Sequence, residues 1–316
     1  MARVLVTRHL TPGALDPLRT AGVEVVQRPE DTPWSPGELT SAAPDVDAIL
    51  CQLTDPIGRA VLEAGVAGNL RVVANAAVGY DNIDVAAAAA LGVVVCNTPG
   101  VLDQTVADLA FLLILAATRL ASEAEADLRA GRWTGWGFAD HLARDVHGTV
   151  LGLVGYGRIG REVARRADGF AMEVLHHTRR PTGFPGYVDR LDDLLATVDV
   201  LSIHVPLTES TRHLISAREL ALMKPTAVLV NTARGAVVDE DALVDALTAG
   251  RLFAAGLDVY PAEPTVNPRL LTAPRVVLLP HVGSATIGTR TKMARLAAQG
   301  IADVLGGRTP PNLVTG

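Results

Sequence analysis

Short runs rich in Val, Ile and Leu recur along the chain, and alanine-rich stretches with apolar residues at helical spacing separate them. In the N-terminal third, residues 3–7, 24–27, 48–53, 71–75 and 93–97 read as strands, with helices over 37–43, 57–64 and 85–91. A second series starts at Thr149. Its strands fall at 149–154, 173–177, 200–204, 227–231, 254–259 and 276–279, and its helices at 158–168, 191–196, 217–222 and 240–249. Strands alternating with helical crossovers predict parallel sheets covered on both faces. The expected fold class is α/β, with two doubly wound parallel-sheet domains and a cleft between them. After His281 comes a last helix, over 286–305, and a Pro-containing tail. That helix is expected to return to the first domain. Residues 1–98 plus 286–316 then form a substrate-binding domain and 99–285 a nucleotide-binding one, and the two chain crossings make a hinge.

Composition narrows the partners. A chain of 316 residues has room for about two domains. With 28 Lys+Arg against 34 Asp+Glu, the net charge of -6 lacks the basic footprint of a nucleic-acid binder. A few local arginines still suffice for a small anionic ligand. Cys51 and Cys96 form no CxxC pair and are too few for a disulfide framework, which points to a reducing cytoplasm and away from a metal. The N-terminus reads as a strand without a signal-peptide core. The most apolar run, residues 109–117, is far short of the roughly 20 residues that span a bilayer, and reads as a buried helix. The wider apolar stretch over 106–117 is taken to suggest a homodimer.

The clearest motif is Val150-Leu-Gly-Leu-Val-Gly155-Tyr156-Gly157-Arg158-Ile159-Gly160: a strand, then GxGxxG, then a helix. In that context Gly155 makes the tight turn, Gly157 admits a pyrophosphate, and Gly160 lets helix pack on strand. The helix N-terminus supplies N–H donors and positive dipole to the phosphates. A dinucleotide cofactor follows, and both sheets are expected to be of this Rossmann-like or flavodoxin-like kind. The end of the next strand, where NAD sites usually carry an acidic residue, reads His176-His177-Thr178-Arg179-Arg180. A hydroxyl and two guanidiniums suit a 2′-phosphate, so NADP(H) is preferred and NAD(H) is permitted.

Three segments at the ends of later strands carry the candidate chemistry. Arg234, in Asn231-Thr-Ala-Arg-Gly235, sits among small residues, where a guanidinium suits capture of a carboxylate and polarisation of a neighbouring carbonyl. Reduction of a ketone by hydride needs a proton for the developing alkoxide, and His281 is the natural donor near neutral pH. Glu263, separated from it by one strand, can reach the same end of the sheet and stabilise the imidazolium.

These segments, with Val78-Gly-Tyr-Asp-Asn-Ile-Asp84, Asn97-Thr-Pro-Gly100, His204-Val-Pro-Leu-Thr208, Asp258 through Pro264 and Pro280-His-Val-Gly-Ser-Ala285, occur in one order along most of the chain. In that order the sequence resembles the D-isomer-specific 2-hydroxyacid dehydrogenase family. The resemblance implies Arg234 as substrate-binding and polarising residue, His281 as acid/base and Glu263 as its partner. It also implies a substrate carboxylate held by backbone at Val78 and Gly79, and a cofactor lined by Val205, Pro206, Thr211, Thr232, Ala233, Asp258 and Gly283 besides the glycine loop.

Within the family the chain is most similar to the glyoxylate/hydroxypyruvate reductase branch, through Gln52-Leu53-Thr54-Asp55, Gly131-Arg-Trp133-Thr-Gly-Trp136 and His177-Thr-Arg179. That likeness adds Leu53 and Trp136 as substrate contacts, Trp136 reaching a partner's site across a dimer or only anchoring the interface. Asp103-Gln104 departs from relatives that often have Thr there. The expected reaction is reduction of a small 2-oxo acid to the D-2-hydroxy acid. The alternatives are an NAD-linked relative of 3-phosphoglycerate or phosphite dehydrogenase type, or a non-enzymatic, NAD(H)-sensing corepressor-like scaffold that keeps the same trio. The end of the chain soon after the last helix argues against a regulatory domain, and Glu263 against formate dehydrogenase relatives, which pair the histidine with Gln.

Overall fold

The structure is a computed structural model in which residues 1–314 are described. It contains two compact units, Asp103–Gly283 and Met1–Leu102 with the described part of Ser284–Gly316.

In the first unit the elements run β1 (Arg3–Val6), α1 (Asp16–Thr20), β2 (Glu24–Val26), α2 (Pro36–Ala42), β3 (Ala48–Cys51), α3 (Arg59–Ala67), β4 (Val72–Asn75), α4 (Val85–Ala90) and β5 (Val94–Cys96). The sheet order is β2-β1-β3-β4-β5, all parallel. The predicted strands run past the observed ends: Thr7, Gln52 and Asn97 leave the ladder. These polar residues spend their side chains or amides on loops instead, as when Thr7 Oγ1 bonds Asp55. Helix α1 has no counterpart among the sequence-based elements, because its five residues are too short for a period to show.

The second unit runs α5 (Asp103–Thr118), α6 (Ala121–Arg129), β6 (Val150–Val154), α7 (Arg158–Ala167), β7 (Glu173–His177), α8 (Leu191–Thr197), β8 (Val200–Ile203), α9 (Ala217–Leu222), β9 (Val228–Asn231), α10 (Glu240–Thr248), β10 (Ala254–Leu257), α11 (Pro268–Leu271) and β11 (Val276–Leu278). Its sheet has the order β11-β10-β9-β8-β6-β7, all parallel, and the order in which strands are added reverses between β6 and β8. Beyond β7 a single parallel bridge joins His176 to Tyr187, a strand reduced to one rung. A sheet of this kind binds ligands at the carboxyl ends of its strands, beside the reversal.

After it, α12 (Ile287–Leu305) packs in the first unit, with Ala297, Ala298 and Ile301 in one cluster with Val4, Val6 and Val72. Thr286 caps this helix by accepting from the Thr289 amide.

The apolar stretch over 106–117 has an explanation inside the second unit. Ala107, Ala110, Leu113 and Ile114 of α5 are fully buried in one cluster with Leu151, Val228, Val230 and Ala254. Each large apolar side chain there is worth roughly 1.5–3 kcal/mol of burial. That face of the helix is apolar because it covers a sheet, whereas Leu112 on the same helix is 52% exposed and is not accounted for by the sheet. No single helix among the described residues is long and apolar enough to cross a membrane.

Candidate active site

The glycine loop follows β6. Gly155 has φ +96°, and a Cβ on it would lie 2.6 Å from the His204 carbonyl oxygen, so the loop crosses the end of β8 at backbone contact. A Cβ at Gly160 would strike the Gly155 carbonyl, which is why α7 starts so close to β6. Gly157, which precedes α7, has open space where its Cβ would be. An open, side-chain-free position at the start of a ten-residue helix is what a pyrophosphate needs, so these residues fit a dinucleotide.

Around the loop, the Tyr156 ring stacks on His176 at 3.9 Å, and Arg158 is exposed. Ile159 is partly buried. Thr178 Oγ1 donates to the Arg180 carbonyl at 2.6 Å, so this hydroxyl shapes the loop, while Arg179 and Arg180 are exposed. Val205 and Pro206 follow β8. The Pro206 carbonyl accepts from Thr211 Oγ1 at 2.7 Å, so Thr211 closes that turn. Thr232 Oγ1, just past β9, is buried without a partner among the described residues.

The chemistry-bearing groups gather at the ends of β9, β10 and β11. His281 Nδ1 donates to Glu263 Oε2 at 2.6 Å. Glu263 Oε1 accepts the Tyr260 amide at 2.9 Å. Burial pushes the Glu263 carboxyl up. The hydrogen bond from His281, the one from Tyr260, and the charges of His281 and Arg234 outweigh it, and the carboxyl ends below its ordinary range. The pair therefore holds an ionised glutamate against an imidazole.

His281 itself sits at φ +52°, a backbone state that costs a non-glycine residue energy. Two braces hold it. Asp258 accepts the amides of Val282 at 2.7 Å and Gly283 at 2.8 Å, one on each carboxylate oxygen. The Tyr260 hydroxyl donates to the Leu279 carbonyl at 2.9 Å. Asp258 and Gly283, expected to line a cofactor, are thus bonded to each other in fastening the histidine loop.

Arg234 is placed by Asn231. Its carboxamide accepts from Ala233 N at 3.0 Å and donates to Arg234 O at 2.9 Å, tying the three residues after β9 into one turn. Arg234 Nη1 donates to the Ala233 carbonyl. Gly235 follows, and a Cβ on it would collide with the backbone of Tyr260 and Pro261. Asn231 and Tyr260 lie inside motifs legible in the sequence, yet their positioning roles are not legible there. Their bonds span turns that periodicity does not report.

In the first unit, Leu53 is partly buried in the turn after β3, where Asp55 accepts the Gln52 amide at 2.7 Å. Val78 and Gly79 lie in the loop after β4. Trp136, in the irregular segment that follows α6 in the second unit, is 81% exposed and lies edge-on to Phe138.

His204, between the glycine loop and β8, accepts or donates one bond with Ser202 at 2.9 Å, and burial pushes its imidazole down to about 4. Unfolded, it titrates near 6.5. Between those values the folded state binds fewer protons than the unfolded one, so stability rises with pH and is lost as pH falls from about 6.5 to about 4. The loss is up to about 3 kcal/mol. Urea midpoints for the wild type and His204→Gln at both ends of that window are expected to show a smaller acid loss in the variant. Equal losses exclude His204 as the cause.

The chain resembles known proteins along its length. Residues 111–283 match the family model of the NAD binding domain of D-isomer specific 2-hydroxyacid dehydrogenases. A glyoxylate reductase of Thermococcus gammatolerans is 43% identical over 321 residues, covering 99% of this chain and 95% of that one. Among solved structures, a Thermus thermophilus protein superposes with a TM-score of 0.92 at 42% identity, over 99% of this chain and all of that one. An NADPH-dependent glyoxylate/hydroxypyruvate reductase of Sinorhizobium meliloti, solved with NADP and malonate, gives 0.87 at 37% identity, over 99% and 97%.

Proposed function

Because the chain belongs to the D-isomer specific 2-hydroxyacid dehydrogenase family, and is thereby an NAD(P)-dependent oxidoreductase, we propose that it reduces a small 2-oxo acid of the glyoxylate or hydroxypyruvate type with a preference for NADPH. The observation that carries this reading is the Glu263–His281 pair at 2.6 Å, braced by Asp258 and Tyr260, with the Arg234 charge acting on the same carboxylate.

In this reading Arg234 binds the 2-oxo acid and polarises its carbonyl. The amides of Val78 and Gly79 take the substrate carboxylate, with Leu53 beside them. The nucleotide is held by Gly155–Gly160 and the start of α7, with Val205, Pro206, Thr232 and Ala233 along it. When bound, the reduced nicotinamide supplies the hydride that ends on C2. His281, its Nδ1 committed to Glu263, gives the proton on its other nitrogen to the oxygen and becomes neutral, and Glu263 stabilises the positive charge that the ring carries before that transfer. Where C2 becomes chiral the product is the D-2-hydroxy acid. Residues 1–98 plus 286–316 serve the substrate and 99–285 the nucleotide. The protein works as a cytoplasmic homodimer, in which the exposed Trp136 meets a second copy.

The absence of a carboxylate at Thr178, Arg179 and Arg180 supports NADPH. Initial rates on glyoxylate and hydroxypyruvate with NADPH and NADH in parallel test both parts. Faster turnover with NADPH is expected. A preference for NADH defeats the cofactor assignment and favours an NAD-linked relative, and no turnover on either acid defeats the substrate assignment.

A further inference from the structure

Three successive carbonyls in the loop after β4 are tied down. Ala77 O accepts from Thr98 N at 2.8 Å, Val78 O from Asn97 Nδ2 at 2.8 Å, and Gly79 O from Asn75 Nδ2 at 2.8 Å. A peptide unit is planar, and its N–H points away from its C=O. Holding the Ala77 carbonyl therefore aims the Val78 N–H the other way, and holding the Val78 carbonyl aims the Gly79 N–H. Those two amides donate to no group among the described residues. Two adjacent amides aimed together and left without an acceptor form an anion-binding concavity.

Asn97 is itself fastened. Its amide donates to Asn312 O at 3.1 Å, and Asn312 Nδ2, on a buried side chain, donates to Asn97 O at 2.7 Å. The C-terminal tail thereby adds one antiparallel rung, Cys96 to Leu313, beside β5.

We propose that Asn97 is a positioning residue for the substrate carboxylate: its carboxamide sets the Val78–Gly79 peptide plane so that the Gly79 amide faces the anion, and Asn312 in the C-terminal tail holds Asn97 in place. The inference rests on the reading of Val78 and Gly79 given above, and it adds the groups that orient them. Asn97 does not touch the substrate. Its loss lets the Val78–Gly79 plane rotate, so ground-state and transition-state binding weaken together.

The test is steady-state kinetics on wild type, Asn97→Ala and Asn312→Ala, with oxamate as a competing carboxylate. For Asn97→Ala, KM for the 2-oxo acid and Ki for oxamate are expected to rise about tenfold, the loss of roughly one oriented hydrogen bond. The value of kcat stays within about twofold and KM for the nicotinamide cofactor is unchanged. Asn312→Ala gives a smaller rise of the same kind. A purely structural role would lower thermal stability and leave the two substrates' KM values in proportion. Asn97→Ser keeps a donor at shorter reach and restores part of the affinity; it also serves if the alanine variant does not fold. An unchanged KM and Ki in Asn97→Ala, beside an active wild type, overturns this inference alone. A wild type that neither turns over a 2-oxo acid nor binds oxamate overturns it together with the proposed function.

Discussion

Replacing His281 by alanine is expected to lower kcat for 2-oxo acid reduction by about 10²- to 10⁴-fold, the range for losing a positioned general acid. The direction follows from geometry. With Nδ1 donating to Glu263 at 2.6 Å, one ring nitrogen is committed and the other is left for the substrate oxygen. Tyr260, whose phenol burial pushes up to about 12, does not take its place, because its hydroxyl is spent on the Leu279 carbonyl. Cofactor affinity is expected to be unchanged, since the glycine loop lies on other strands. Stopped-flow single turnovers with NADPH separate the chemical step from product release. A kcat within twofold of wild type would remove His281 from the proton transfer and leave a solvent-derived proton as the donor.

The second large effect is on stability. Gly235→Ala drives a methyl group into the Tyr260–Pro261 backbone, and backbone cannot rotate away as a side chain can. Overpacking of this kind costs about 3 kcal/mol or more. For a unit of this size that corresponds to a fall in Tm of roughly 6–12 °C. The collision also joins the two halves of the candidate site. The glycine follows Arg234, and the segment it strikes carries the amide that bonds Glu263. Calorimetry of the purified variant measures the fall, and rates taken well below its Tm should still be depressed. A Tm within 1 °C of wild type would mean that the Arg234 turn can move aside, and the close approach would then be no constraint.

How much of this was legible beforehand depends on the range of the interaction concerned. Val150 to Gly160 declares a strand, a turn and a helix because each glycine answers a local demand, a positive φ at 155 or a missing Cβ at 160. The alternation of β and α elements is equally local, since side-chain period is set by backbone geometry over a few residues. Arg234, Glu263 and His281 were visible as chemistry-bearing residues at strand ends.

Tertiary structure alone decided what those residues bond to. It placed β6 between β7 and β8, so that the glycine loop crosses the end of β8. It bonded Asp258, a residue expected to line a cofactor, to the Val282 and Gly283 amides, and gave Asn97 to Val78. It also buried one face of the apolar run in α5 on a sheet. The physical reason is the same in each case. Secondary structure follows from periodicity within one segment, whereas a hydrogen bond between residues 24 positions apart, or between Asn97 and Asn312, depends on where folding carries both ends. Sequence thus determined which elements form and which residues carry reactive groups; the packed chain decided which groups those residues hold.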